Sequence, residues 1–294
     1  MTPIVSGHDA VTPASLEDAL AFLAERAGEE WQPIAGGTDL MVGLNAGTES
    51  RRRWLDLSRA ATEMNDITRE ADGRVCVGAA ATMTAVRGSA LLRETAPILG
   101  EAAATIGARQ IQNRATVAGN LVNASPAGDT LPVWLVLDAE VELRSARGTR
   151  HVPYRDFTPS YRTTLRRPDE LVTAVRFVPP PRDRTVMLFR KVGTRAAQAI
   201  SKVVFAGLRQ TDASGNLVEV RLAFGSVGPV PLRAASAEAA AQGRPVGDAV
   251  GRAAADQLDV DLAPIDDVRS TAHYRLGVAR NLTRAFLAGQ LGAA

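Results

Sequence analysis

The sequence predicts an α+β fold in two parts, and three observations predict it. Two small-residue turns, Ile34-Ala35-Gly36-Gly37-Thr38-Asp39-Leu40 and Ala115-Thr116-Val117-Ala118-Gly119-Asn120, are each entered from an apolar run and left through residues that can cap a helix. A Pro179-Pro180-Pro181 run then interrupts the chain, since consecutive prolines favour an extended spacer between compact units. Beyond it come strand-like stretches and then Ala-rich helical ones, the order of a separate α+β unit. The expected division is residues 1–180, with subdomains about 1–57 and 58–180, and residues 185–294.

Taken in order, residues 13–28 read as a helix. Ser15 and Asp18 stand in capping-box positions, Ala19, Leu20, Phe22, Leu23 and Ala27 form an apolar stripe, and Gly28 is placed to stop it. Residues 32–35 form a strand into the first turn, where Thr38 or Asp39 can cap a helix ending near Gly47, and 53–57 form the next strand. Asp72-Gly73 joins strands 67–70 and 74–78, a strong hairpin signal. Thr82 caps one helix and residues 97–105 form another, closed by Gly107. After the second turn, Asp129 stands where an N-cap would precede the apolar run 131–137. Strands 141–144 and 149–152 pair around Arg147-Gly148, and 171–178 is a further strand. In the second part, strands 187–192, 203–210 and 217–224 are antiparallel, followed by helices at 233–242, 248–258 and 266–288.

Composition excludes several classes. The chain has 294 residues and 46% hydrophobic content, enough for a large core without staples. Aromatics are only 4%, so that core is mostly Ala, Val and Leu. No apolar run spans a bilayer, and residues 1–10 carry no secretory pattern, so a cytoplasmic protein is expected. A lone Cys76 rules out an internal disulfide and an iron–sulfur cluster held by this chain alone. The net charge is +2, and the Arg51–Arg53 and Arg162–Arg167 clusters read as solvated faces or a subunit contact, with no nucleic-acid partner. Of 34 basic residues only Lys191 and Lys202 are lysines, which singles them out.

The turns are where chemistry is expected. Glycine lets a backbone approach a ligand closely, and successive N–H groups at a helix N-terminus cradle anions. Two such turns suggest two phosphates or one pyrophosphate. Neither G-x-G-x-x-G nor G-K-[ST] occurs, so the dinucleotide fingerprint and the Walker loop are both absent. His8, His151 and His273 lack metal spacing, and no nucleophile elbow exists. A chain with nucleotide cradles and no acid, base or nucleophile of its own points to a held cofactor as the reactive group.

The run Gly107-Ala108-Arg109-Gln110-Ile111-Gln112-Asn113-Arg114-Ala115-Thr116-Val117-Ala118-Gly119-Asn120-Leu121, followed by Ala124-Ser125-Pro126-Ala127-Gly128-Asp129, resembles the FAD-binding medium subunit of the xanthine dehydrogenase family of molybdenum hydroxylases. Ala35-Gly36-Gly37-Thr38-Asp39-Leu40 matches the same family, as do residues 189–195, 200–203 and 266–275, so the likeness covers almost the whole chain. The resemblance implies a two-subdomain FAD-binding fold of the vanillyl-alcohol oxidase type, then a C-terminal three-stranded antiparallel sheet with helices.

It also implies roles. The diphosphate of FAD would be held by Ile34 to Leu40 and by Ala115, Thr116, Val117, Ala118, Gly119 and Asn120. Asp129 would meet a polar part of the cofactor, Ile106 and Leu171 (or Val172) would pack on the isoalloxazine ring, and Lys191 would lie near it. Molybdopterin and [2Fe–2S] clusters are expected in large and small partner subunits, with NAD+ or another acceptor taking the electrons. The family usually has Gly-Gly-Asn in the second turn, where this chain has Ala118-Gly119-Asn120, and Ile106 replaces a ring that some relatives carry. Thr38-Asp39-Leu40 looks more like the branch acting on purines and N-heterocycles than the carbon monoxide branch. The alternatives are a stand-alone flavin reductase or oxidase of the same fold, or a non-catalytic binding module in which the turns are only turns.

Overall fold

A computed structural model describes residues 7–292; part of the N-terminal stretch expected to lack a secretory pattern lies outside them. Three sheets organise the chain. The first is parallel and holds β1 (Asp9–Val11), β2 (Trp31–Ile34) and β3 (Arg53–Asp56) in the order β1-β3-β2. Each connection between them carries a helix, Leu16–Glu25 and Thr38–Asn45, as parallel pairing requires. Ser15 Oγ accepts from the Asp18 N–H at 3.1 Å, the expected cap. The helix ends at Arg26 rather than at Gly28.

The second sheet, order β4-β5-β8-β6-β7, is antiparallel throughout. It contains β4 (Ile67–Arg69), β5 (Val75–Gly78), β6 (Glu140–Ser145), β7 (Gly148–Pro153) and β8 (Leu171–Phe177). Short helices fill the long connection from β5 to β6, among them Met83–Gly88, Ala90–Thr95 and Pro97–Ala104. The third sheet, order β12-β11-β10-β9, holds β9 (Thr185–Val192), β10 (Val203–Thr211), β11 (Leu217–Gly225) and β12 (Leu232–Arg233). Its fourth strand is a two-residue addition to the three expected.

That last sheet is buried on both faces, and period-2 alternation explains how it joins two cores. Phe189, Val204, Ala206, Leu208 and Ala223 pack into the core of the preceding segments. Leu188, Val203, Phe205, Leu222 and Phe224 face the other way, against helices Ala235–Ala241, Asp248–Asp256 and Ala272–Leu287. Lys191 has the parity of Phe189, so it points toward the first two sheets.

Three helix starts differ from the expectation. Gly37, in the left-handed region at φ 71°, occupies the cap of Thr38–Asn45, so neither Thr38 nor Asp39 does. Thr130 caps Leu131–Val136 in place of Asp129. The last helix begins at Ala272 rather than near 266, because residues 267–270 form a turn and Asp266 Oδ1 accepts from the Ala272 N–H at 2.6 Å. Among the described residues no helix is long and apolar enough to cross a membrane.

Candidate functional site

The first turn follows β2 and opens the helix Thr38–Asn45. The first four N–H groups of a helix have no partner within it. Here the N–H groups of Gly36, Gly37, Thr38, Asp39 and Leu40 have no protein acceptor among the described residues. Asp39 is exposed and its neighbours in the turn are half-buried. The result is an accessible row of donors at the positive end of a helix, which suits an anion.

The second turn is built differently. Thr116 caps the helix Val117–Asn123, its Oγ1 accepting from the Gly119 N–H at 3.1 Å. The N–H groups of Ala115, Val117, Ala118 and Asn120 donate to the carbonyls of Ile111, Ala81, Ala79 and Thr116, at 2.7–3.1 Å. Only the Thr116 amide has no protein acceptor in this turn, among the described residues. The expectation of a second row of free amides is therefore not met, because the segment 79–83 lies against the turn and takes two of its donors while Ile111 and Thr116 take the other three. What the turn offers outward is Gly119, which is exposed, and Asn120, whose Oδ1 accepts from the Thr130 hydroxyl at 2.5 Å. Ala118, the second residue of a right-handed helix, carries its methyl without backbone strain.

The two turns touch. A Cβ built on Gly36 would lie 1.9 Å from the Arg114 carbonyl oxygen and 3.2 Å from the Ala115 Cα. Glycine is required at that point for the backbones to meet.

A buried ion pair forms a second centre. Lys191 Nζ donates to Asp129 Oδ2 at 2.6 Å and to the Thr105 carbonyl at 3.1 Å. Asp129 is 6% exposed, and its Oδ1 is buried without a partner among the described residues. Burial pushes the Asp129 carboxyl up to about 6, with the Lys191 ammonium working against the rise. Unpartnered buried acceptors are rare in native proteins, and a ligand donor is one way to satisfy them.

Ile106 follows Thr105 and is half-buried, its carbonyl accepting from Gln112 Nε2 at 2.9 Å. The structure thus brings Ile106, Asp129 and Lys191 around one short segment, although they are far apart in sequence. Leu171 and Val172 lie on β8, paired with Arg144 and Leu143, and both are buried in the core. Sequence reasoning missed Thr105 and the buttress 79–83. The only signal was the small-residue run Ala79-Ala80-Ala81 before the Thr82 cap.

Two of the cavities among the described residues differ in their relation to the site. The larger, about 660 Å³ and lined by residues of β11 and of the helix Ala235–Ala241, contains none of the expected site residues. The smaller, about 310 Å³, lies between Gly107, Ala108 and Ile111 on one side and Gln198, Ala199 and Ile200 on the other. Its first wall directly follows Ile106 in the chain.

Residues 6–181 match the family model for the FAD binding domain in molybdopterin dehydrogenase, and residues 189–289 match that for the CO dehydrogenase flavoprotein C-terminal domain. The chain is 31% identical to the xanthine dehydrogenase FAD-binding subunit of Escherichia coli O157:H7, over 96% of this chain and 95% of the relative. It is 30% identical to the carbon monoxide dehydrogenase medium chain of Afipia carboxidovorans, over 96% of each. Among solved structures, reconstituted CO dehydrogenase from Oligotropha carboxidovorans superposes with a TM-score of 0.91 at 28% identity, covering 100% of both chains.

Proposed function

The chain belongs to the FAD-binding subunit family of the molybdopterin dehydrogenases, and from that premise we propose that it is the electron-transfer subunit of a heteromeric molybdenum hydroxylase. The observation that carries the site is the row of unpartnered amides from Gly36 to Leu40 together with the unpartnered, buried Oδ1 of Asp129. Both fit FAD: the first suits a diphosphate, the second an O–H or N–H donor on the cofactor. When bound, FAD supplies the exchange of electrons singly or in pairs, which no side chain here can supply.

In this reading Ile34, Ala35, Gly36, Gly37, Thr38, Asp39 and Leu40 form the anion cradle. Five free amides at roughly 1.5 kcal/mol each give a gross contribution near the 8 kcal/mol of a micromolar complex. Ala115, Thr116, Val117, Ala118, Gly119 and Asn120 complete it as a rigid wall that donates through the Thr116 amide. Ile106 and Leu171 (or Val172) would supply apolar surface for the ring. Lys191 holds a cation beside the cofactor where electron density would accumulate. Because Asp129 is its counter-ion, the pair is neutral above about pH 6 and cationic below it, which makes the local potential a function of pH in that range.

The partners we propose are a molybdopterin-binding large subunit, which oxidises the substrate, and a small subunit with [2Fe–2S] clusters. The terminal acceptor would be NAD+ or another soluble oxidant, the complex would be cytoplasmic, and its substrate an N-heterocycle such as a purine. The Thr38-Asp39-Leu40 sequence of the cradle and the likeness to the xanthine dehydrogenase subunit support that substrate class.

The test has two stages. Titration of the purified chain with FAD, alone and with its partner chains, should give the visible spectrum of a bound oxidised flavin; no binding in either case overturns the flavin site. Reconstitution of the complex should then give substrate-dependent NAD+ reduction that is lost when this chain is omitted. Reduction that survives the omission overturns the relay.

A further inference from the structure

Arg275 lies near the start of the last helix, 2% exposed, in the company of main-chain oxygens rather than solvent. Its Nη1 donates to the carbonyls of Lys202 and Ser226, both at 2.8 Å, and its Nη2 to Asp267 Oδ1 at 2.7 Å. Its Nε is buried without a partner among the described residues. A buried guanidinium with one unmet donor is an expensive way to fill space, and an apolar side chain would pack more cheaply. What an apolar residue or a lysine cannot do is hold two carbonyls and a carboxylate in one planar fork.

The two carbonyls belong to two different supports. Lys202 closes the loop that begins after β9, its N–H donating to the Val192 carbonyl at 2.7 Å. Val192 directly follows Lys191. Ser226 has a left-handed backbone, φ 65°, and its N–H donates to the Pro126 carbonyl at 2.8 Å. Pro126 begins the short segment that ends at Asp129. The fully buried Ser201 joins the two supports, its hydroxyl lying 2.8 Å from that of Ser226. The residue after Lys191 and the residue three before Asp129 are thus each tied, through one main-chain hydrogen bond, to a residue whose carbonyl the same guanidinium holds.

We propose that Arg275 is a positioning residue for the Asp129–Lys191 pair: from the C-terminal helix it locks the strand end carrying Lys191 to the loop leading to Asp129, and so sets how the two charged groups meet the cofactor. This rests on the reading of the pair as part of the flavin site. Asp267 acts on Arg275 in turn, since its Oδ1 receives the Arg269 and Ser270 N–H groups as well as the guanidinium.

The experiment compares full-length wild type, Arg275→Met and Arg275→Lys with Arg176→Met, a variant that breaks a partly buried ion pair to Glu70 and Glu142 on the second sheet. Each is titrated with FAD between about pH 5 and about pH 8, and its thermal unfolding is recorded. Arg275→Met should bind FAD at least tenfold more weakly and lose the pH step that Asp129 gives the wild type. Arg275→Lys should recover part of the affinity, and Arg176→Met should keep both affinity and pH step whatever its loss of melting temperature. A folded Arg275→Met with wild-type affinity and an unchanged pH step overturns the proposal. If Arg275→Met does not fold, Asp267→Asn takes its place with the same expected direction. Wild type that binds no FAD, alone or with partners, overturns the flavin reading itself, a separate outcome.

Discussion

In the first turn the amides of Gly36 to Leu40 have no protein acceptor among the described residues, whereas in the second those of Ala115, Val117, Ala118, Gly119 and Asn120 are all taken by protein oxygens. Both turns carry small residues before a helix, and both would be read from sequence as anion cradles. The difference comes from what lies behind them. Behind the second turn, the turn and bridge of residues 79–83 receive the Val117 and Ala118 N–H groups and donate the Met83 amide to the Ala115 carbonyl. Ala115, Gly119 and Asn120 donate to Ile111 and Thr116. Among the described residues the first turn has no such segment behind it, and the helix after it has no buried residue. One turn is therefore a donor surface, the other a rigid wall against which the donor surface is set. The contact at Gly36 fixes the distance between them.

The sharpest way to break this picture is Gly36→Ala. Its methyl would overlap the Arg114 carbonyl at 1.9 Å, and main chain cannot step aside as a flexible side chain can. We expect a loss of about 3 kcal/mol or more, the upper end of ordinary overpacking, and FAD binding too weak to detect by titration. Gly119→Ala is the matched control: its methyl would meet only the Thr116 hydroxyl at 2.9 Å, so a far smaller loss of affinity is expected. Equal losses from the two variants would remove the distinction between surface and wall.

A second prediction concerns the ion pair beside the turns. The folded chain holds a proton on Asp129 up to about pH 6, while the unfolded chain releases it near 3.8. Below that window both states are protonated. Within it only the folded state retains the proton, so the group's contribution to stability declines as pH rises and levels off above about 6. At about 1.4 kcal/mol per unit the decline is at most roughly 3 kcal/mol. Urea unfolding of wild type and Asp129→Asn at about pH 4.5 and about pH 6.5 measures it, as a difference between the two proteins that changes with pH. A difference independent of pH would mean that Asp129 is hydrated in the folded chain.

Smaller effects sharpen the comparison. Thr116→Ala removes the cap from the second turn and should cost about 1 kcal/mol, read by thermal unfolding. Because that turn works as a wall, FAD affinity should fall by less than for Gly36→Ala. Asp39→Asn should shift stability by no more than about 0.5 kcal/mol, since the side chain is exposed and caps nothing. With a diphosphate beside it, the loss of this negative charge should leave FAD affinity unchanged or raise it. A marked loss would mean that Asp39 itself touches the cofactor.

Much of the site was legible because it is local. Gly36-Gly37 before a helix, the Thr82 cap and the Asp72-Gly73 hairpin depend on residues within a few positions of one another, and the structure has each of them. The family motifs told more than the spacing did, since they put Asp129 and Lys191 at one cofactor when local reading made the first only a cap candidate and the second only a rare lysine. The helix starts at 38, 131 and 272 were misjudged for a common reason. A polar residue near an apolar run can serve as a cap but need not: Gly37 and Thr130 stand at the first two starts without a side-chain cap bond, and only Thr271 caps its helix.

By itself, then, the sequence determined most of the larger elements and their order, though not the strand Asp9–Val11 that opens the first sheet, together with the two glycine-bearing turns and the family. Tertiary structure alone decided which turn keeps its amides free, that Gly36 presses on Arg114, and that Asp129 and Lys191 meet beside Thr105 with one carboxylate oxygen left over. Propensity and periodicity are set by neighbours along the chain, whereas the pairing of a polar group is set by whatever packs against it from elsewhere. A donor's availability is thus a property of the fold, and it cannot be read from the residue that carries it.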